Sequence, residues 1–482
     1  MPQDVLERFR TVAPATATWV LRVVKRHTQR LCVRRDVVQP PTQGIETGAM
    51  VSITHNGGVG YAATSDLGVD GLGRAVSRAD AWARQSAVLG LGTSQNEHFA
   101  DAGSYHTREV NGWDTFSLTA KLDLLRDASH RIADARPKRD PRIVDWQASL
   151  GFRAEHVLLA SSGGGHIEQG FCIINPGLMA VANEGSITQI RTHGGEDHAR
   201  QGGLEQLGEV EFPGAAKRVS EQALQLLSAP RCRNDEDGDL LLMPSQMALQ
   251  IHESIGHPLE LDRILGDERN YAGTSFVTPE MFGHYRYGSE HLNVTFDPSL
   301  PAEAASYAFD DDGARAERVY LIRRGTLERA LGGGQSQRRA NVPGTANSRA
   351  CSWNRPTIDR MANINMEPGD RSFEELVASI ERGVLMDTNR SWSIDDSRNK
   401  FQFGCEYAQR IENGELKGVV RDANYRGISA TFWRSLSDVG DHSTFRVHGL
   451  NTCGKGEPNQ AIHVGHAAPA CVFRKVSVFS DA

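Results

Sequence analysis

No run of 18 apolar residues occurs in this 482-residue chain, so no segment reads as a membrane-spanning helix. The opening stretch, Met1 to Arg8, carries no apolar signal core either. Cysteine is sparse. The seven cysteines, at 32, 172, 232, 351, 405, 453 and 471, form no CxxC pair and no paired framework, which excludes a disulfide-stapled scaffold. A reducing cytoplasm is the expected compartment. A strong charge bias is missing too: 53 Lys and Arg against 60 Asp and Glu leave a net charge of −7. That balance gives no general attraction for nucleic acid or an acidic membrane surface. The basic run Arg22 to Arg35 alternates with Val and Leu and reads as strand with one solvated face. Repeats and low-complexity tracts are absent.

What is present is a large folded protein. Charged residues at 23% and aromatics at 7% fit an ordinary globular chain, and the length predicts two domains. The N-terminal half mixes strands and helices. Trp19 to Val24 and Leu31 to Val38 read as neighbouring strands, and Ala49 to Thr54 with Val59 to Thr64 as a hairpin turning at Asn56-Gly57. Leu72, Ala75, Val76, Ala79, Trp82 and Ala83 mark one amphipathic helix. Others are expected over Ser117 to Asp134 and Pro213 to Leu227. Ser162-Gly163-Gly164-Gly165 lacks the Gly-Lys-Ser/Thr ending of a phosphate loop and reads as a hairpin turn. Charge and turn formers from Pro230 to Gly238 then interrupt the pattern. The expected division is an N-terminal α+β domain over 1–230 and a strand-rich domain over 237–482. The fold class is α+β.

The densest chemistry lies in His252-Glu253-Ser254-Ile255-Gly256-His257. Two neutral imidazoles suit Zn2+, and a neighbouring carboxylate outside the ligand set can take a proton from metal-bound water. The familiar zinc-protease spacing is i, i+4 on one helix face. Here it is i, i+5, which on an ideal helix separates the two side chains by roughly 140°. Ser245 reads as an N-cap, followed by good helix formers. Gly256 loosens the backbone and Pro258 disfavours the α conformation at His257. His257 is therefore expected to leave the helix and swing back toward His252. A catalytic zinc site needs a third protein ligand. Cys453, between Asn451-Thr452 and Gly454-Lys455, is one candidate, with Lys455 expected to favour the thiolate. His463, His466, Glu260 and Asp262 are rivals, and spacing does not choose among them.

His252-Glu253 with Gly256-His257, and Cys453-Gly454-Lys455 near the C-terminus, resemble the TldD/PmbA family of metallopeptidases. Gly57 to Leu67 is similar to the family's N-terminal signature. Asp310 to Gly313 and Leu321 to Leu327 resemble its later strands, and Arg360-Met361-Ala362-Asn363 its Arg-Met-Thr-Asn segment. The likeness runs in order from about residue 20 to the end. It implies His252, His257 and Cys453 as metal ligands and Glu253 as general base. It also implies a TldD-like catalytic subunit, because the family's inactive sister subunits lack the His-Glu motif. Pro258 departs from the glycine of some relatives.

The expected activity is zinc-dependent hydrolysis of peptide bonds, through a metal-bound water with Glu253 as base. The resemblance implies unfolded polypeptides or small, modified or leader-bearing peptides as substrates. It further implies a dimer, either of identical chains or with a motif-lacking sister. No nucleic acid and no membrane is expected as a partner. Two other readings stand beside it. One is a binding scaffold whose metal is structural, closed by a fourth ligand from His463, His466 or Glu260. The other is a metal-dependent hydrolase of small-molecule amides.

Overall fold

The computed structural model describes residues 2–15, 17–90, 99–134 and 140–480. The fold is α+β, built on two large sheets with helices against them. The first sheet has nine strands and occupies the N-terminal half. Its central strand, Thr18–Arg34, pairs antiparallel with Thr42–His55 on one side and Ile143–Ser161 on the other. The two separate strands expected here are one. No Gly or Pro interrupts Lys25 to Arg30, so the alternation carries straight through. The chain turns only at Arg35 and Asp36, both at positive φ (51° and 66°), before a short return strand at Val37–Val38.

The Asn56-Gly57 hairpin forms as expected, with φ of 48° and 81°. Ser162 to Gly165 likewise joins Ile143–Ser161 to His166–Glu184 as a hairpin. The helix Val69–Val88 buries Leu72, Ala75, Val76, Ala79 and Ala83 against the sheet. Gly58 and Gly60 permit that contact, since a Cβ on either would meet the Ala83 or Ala79 carbonyl at 2.1 and 2.2 Å. So close an approach leaves no room for an indole, and Trp82, expected inside, is 59% exposed. The helices Leu118–Ala133 and Phe212–Ser228 pack over a second apolar cluster of the same sheet. Ser117 caps the former by accepting from the Ala120 amide.

In the second half, Asp235–Leu242 lies parallel to Arg382–Ile394 and antiparallel to Cys471–Ser480. The pairing continues through Lys400–Glu412 and Ala423–Ile428 back to Cys471–Ser480, so these five strands close on themselves. Closure removes the exposed edges that an open sheet would present. Asp310 to Gly313, expected as strand, is a turn. Asp310 Oδ1 accepts from the amides of Asp312 and Ala314, and such side-chain capture of nearby N–H groups favours turns. Among the described residues, no helix is long and apolar enough to cross a membrane.

Candidate metal centre

The strand Asp235–Leu242 delivers the chain into the helix Pro244–Ile251. Met243 is the N-cap and Pro244 the first helical residue, where its missing N–H costs nothing. Ser245 therefore sits inside the helix and does not cap it; its hydroxyl donates to Asp387 Oδ1 at 2.5 Å. The helix is buried, and its two glutamines, Gln246 and Gln250, lie one turn apart and meet the Tyr425 hydroxyl in the core. Its far end is fixed by polar contacts in the core. The Ser254 hydroxyl receives the Trp433 indole N–H at 2.9 Å, and the Tyr425 hydroxyl donates to Gln250 Oε1 at 2.8 Å.

The surplus residue in the His252–His257 spacing is absorbed by a π turn. Residues His252–Gly256 widen the helix, and the His257 amide donates to the His252 carbonyl, an i→i+5 bond. One wide turn thus does for residues five apart what an α turn does for residues four apart. His257 does not leave the helical path: its φ and ψ are −60° and −41°. Pro258 is tolerated because it lies in the first turn of the 3-10 helix His257–Leu259, where no N–H is needed. The two imidazoles end 4.7 Å apart between centroids, nearly perpendicular at 82°.

The third member comes from a two-stranded ribbon, Arg446–Lys455 paired with Gln460–Ala468. Opposite residues of such a pair share a face. His448 faces His466 and Leu450 faces Val464, but Cys453 faces Ile462, so one extra residue lies between Leu450 and Cys453. This bulge turns an odd-numbered residue onto the face of the even-numbered ones. Cys453 Sγ thereby lies 3.8 Å from His257 Nε2. One donor atom from each of His252, His257 and Cys453 falls within 4.8 Å of the other two, and all three residues are buried. A tetrahedral zinc with ordinary bond lengths has an N···S edge of about 3.6 Å, so the spacing fits such an ion.

The electrostatics match the ligand forms. Burial pushes His252 down to about 4 and lowers His257 as well, which keeps both imidazoles neutral. Burial pushes the Cys453 thiol up, but Arg360 and His257 outweigh it and leave the thiol below its ordinary range. The cation beside the thiol is thus Arg360, which also donates to the Cys453 carbonyl. Lys455, expected in that role, instead binds Asp262 at 2.5 Å and Glu260 at 3.4 Å.

The rival ligands are placed around the trio. His466 Nε2 lies 2.8 Å from His252 Nδ1, and Glu260 Oε2 lies 3.0 Å from His257 Nδ1. Each occupies the Nδ1 of a ligand and leaves its Nε2 for a metal, the usual arrangement behind metal-bound histidine. Asp262 is taken up by Lys455. His463, three residues before His466, lies on the opposite face of its strand and contacts Arg153. Glu253 is buried at 5% exposure, stands outside the trio and accepts from Arg398 at 3.0 Å. Arg398 had no signal in sequence: it approaches from a turn 145 residues away, at a positive φ of 62°.

Three buried donors with a carboxylate close by in the chain can hold a catalytic metal. Family models described as PmbA/TldA metallopeptidase domain 1, central domain and C-terminal domain match residues 19–83, 111–227 and 236–480. The chain belongs to the PmbA/TldD metallopeptidase family. A metalloprotease of Methanothermobacter thermautotrophicus is 26% identical over 95% of this chain and 94% of its own length. A Synechocystis metalloprotease is 26% identical, with 96% and 94% covered. Among solved structures, TldE from Thermococcus kodakarensis superposes with a TM-score of 0.74 at 17% identity, covering 99% of both chains. At that identity it speaks to the fold alone.

Proposed function

We propose that the chain is a zinc-dependent peptidase that cleaves unfolded polypeptides or small, modified or leader-bearing peptides. The observation that carries the reading is the buried His252, His257 and Cys453 trio with a carboxylate, Glu253, on the same wide turn. A bound zinc ion supplies Lewis-acid activation of a water and of the scissile carbonyl. Glu253 accepts the proton released from that water and returns it to the leaving amine. Arg398 holds the Glu253 carboxylate in place and keeps it paired inside the core. His466 and Glu260 hold the two imidazoles with their Nε2 atoms presented. All seven cysteines are free, which supports a cytoplasmic home. The working assembly in this reading is a homodimer, or a heterodimer with a motif-lacking sister chain.

The test is incubation of the purified chain with an unstructured peptide pool and mass spectrometry of the fragments. Glu253→Gln keeps the shape and the ligands but removes the base, and cleavage is expected to fall by about 10²- to 10⁴-fold with zinc content unchanged. Chelator-treated protein should be inactive and recover with zinc. Cleavage by Glu253→Gln within tenfold of wild type would remove Glu253 from the mechanism. Zinc-loaded wild type that yields no fragments, alone or as an obligate pair, would favour a structural metal.

A further inference from the structure

A second group of metal-binding side chains lies at the seam between the two halves, apart from the trio above. Asp197 and His198 follow the strand Ile187–Gly194 of the N-terminal sheet, while His448 belongs to the C-terminal ribbon strand Arg446–Lys455. Backbone bonds clamp the two segments. The Ala199 amide donates to the Gly449 carbonyl and the Gly449 amide to the Asp197 carbonyl, both at 2.9 Å. The His198 and His448 rings stack with centroids 5.3 Å apart. One donor atom from each of Asp197, His198 and His448 lies within 4.8 Å of the other two.

Hydrogen bonding within the protein does not satisfy this cluster. His198 is 8% and His448 6% exposed, yet the buried Nδ1 of each has no hydrogen-bond partner among the described residues. The nearest acid is Asp197, whose Oδ2 is 3.6 Å from His448 Nδ1, beyond hydrogen-bond reach. A nearby third imidazole is already engaged: His193 Nε2 donates to the Val210 carbonyl at 2.6 Å, and its Nδ1 faces Arg218 at 3.3 Å. Buried polar nitrogens are nearly always paired, and those that are not commonly mark a missing ion or water.

We propose that Asp197, His198 and His448 form a second site, for a first-row divalent cation such as zinc, which pins the N-terminal sheet to the C-terminal ribbon. Two imidazoles and one carboxylate are a donor set such ions accept, with positions left open for water. The site is also tied to the trio, because His448 is the cross-strand partner of His466, which holds His252.

Cobalt(II) separates the two sites, because only the one holding Cys453 gives a thiolate-to-metal charge-transfer band. The metal-free full-length chain is titrated with Co2+, with bound metal measured by equilibrium dialysis and the band followed in the near ultraviolet. Two equivalents are expected, with the band saturating at one. His448→Gln should stop at one equivalent with the band intact, and Cys453→Ser should keep one equivalent with no band. Wild-type uptake that ends at one equivalent as the band saturates would overturn the proposal, even if His448→Gln fails to fold. Two equivalents in a folded His448→Gln chain would overturn it as well. One band-less equivalent in wild type, lost in His448→Gln, would uphold this site and count instead against the trio.

Discussion

His466 Nε2 stands 2.8 Å from His252 Nδ1, and His466 Nδ1 stands 3.1 Å from the Ile364 carbonyl. The carbonyl can only accept, so His466 carries its proton on Nδ1 and accepts from His252 through Nε2. The relay fixes the His252 tautomer and leaves its Nε2 lone pair free for a metal. Loss of such an outer partner typically weakens metal affinity by 10- to 100-fold. His466→Ala is therefore expected to raise the zinc dissociation constant by about 10- to 100-fold in a chelator competition. The cobalt-thiolate band should persist at saturating metal. Affinity equal to wild type would show that His252 is oriented by something else.

Glu260 does the corresponding work for His257, but within a network of charges. It is fully buried, and its Oε2 faces His257 Nδ1, Arg263 at 3.4 Å and Lys455 at 3.4 Å. Its other oxygen accepts from the Met361 amide. The neighbouring cation, chiefly Lys455, outweighs the burial and holds this carboxyl well below the usual range. Removing one charge from a buried pair commonly costs 3–5 kcal/mol, because the partner is left uncompensated. Glu260→Gln should lower stability of the metal-free protein by about 3–5 kcal/mol in denaturant unfolding, and should weaken zinc binding too. A loss under about 1 kcal/mol would mean that Asp262 and the Asp359 carbonyl suffice for Lys455, and the Ala272 carbonyl for Arg263.

How far these features were legible in the sequence depended on whether they were local. The Asn56-Gly57 hairpin and the helices over Leu118–Ala133 and Phe212–Ser228 follow from neighbouring residues and form where expected. The trio was legible through the motif and the family likeness, but the reason for its spacing was not. Hydrophobic periodicity assumes a uniform helix, and nothing in His252 to His257 announces that five residues will close one turn. Choosing among Cys453, His463 and His466 required the bulge between Leu450 and Cys453, which depends on the partner strand. Arg360 and Arg398 lie 93 and 145 residues from Cys453 and Glu253, and only tertiary packing brings them in. The Asp197, His198 and His448 cluster is hidden for the same reason.

Gly256 offers a steric test of the π turn. A Cβ there would lie 2.0 Å from Met361 Sδ and 3.1 Å from its Cγ. Alanine favours helix over glycine by about 1 kcal/mol, yet overpacking a filled core typically costs 1–3 kcal/mol. Met361 belongs to the same segment as Arg360, so its displacement should also disturb the environment of Cys453. Gly256→Ala is expected to lower the melting temperature and reduce zinc content after dialysis. A variant as stable as wild type, with full zinc, would show that the methionine turns aside freely.

His463 allows a test of acid sensitivity away from the trio. Burial, reinforced by Arg153 and Arg349, depresses this imidazole to about 3, against 6.5 for a free side chain. In the folded protein it is neutral, whereas in the unfolded chain it protonates below about pH 6.5. The unfolded state therefore binds the extra proton, and stability is lost as pH falls from 6.5 toward 3. One such proton changes the slope of stability against pH by about 1.4 kcal/mol per unit at most. His463→Gln removes this contribution whatever it does to the absolute stability. Denaturant unfolding of the metal-free protein between pH 6 and 4 should show a slope shallower than wild type, approaching that difference. Equal slopes would show that His463 protonates alike in both states, and that the contact with Arg153 at 3.4 Å opens in solution.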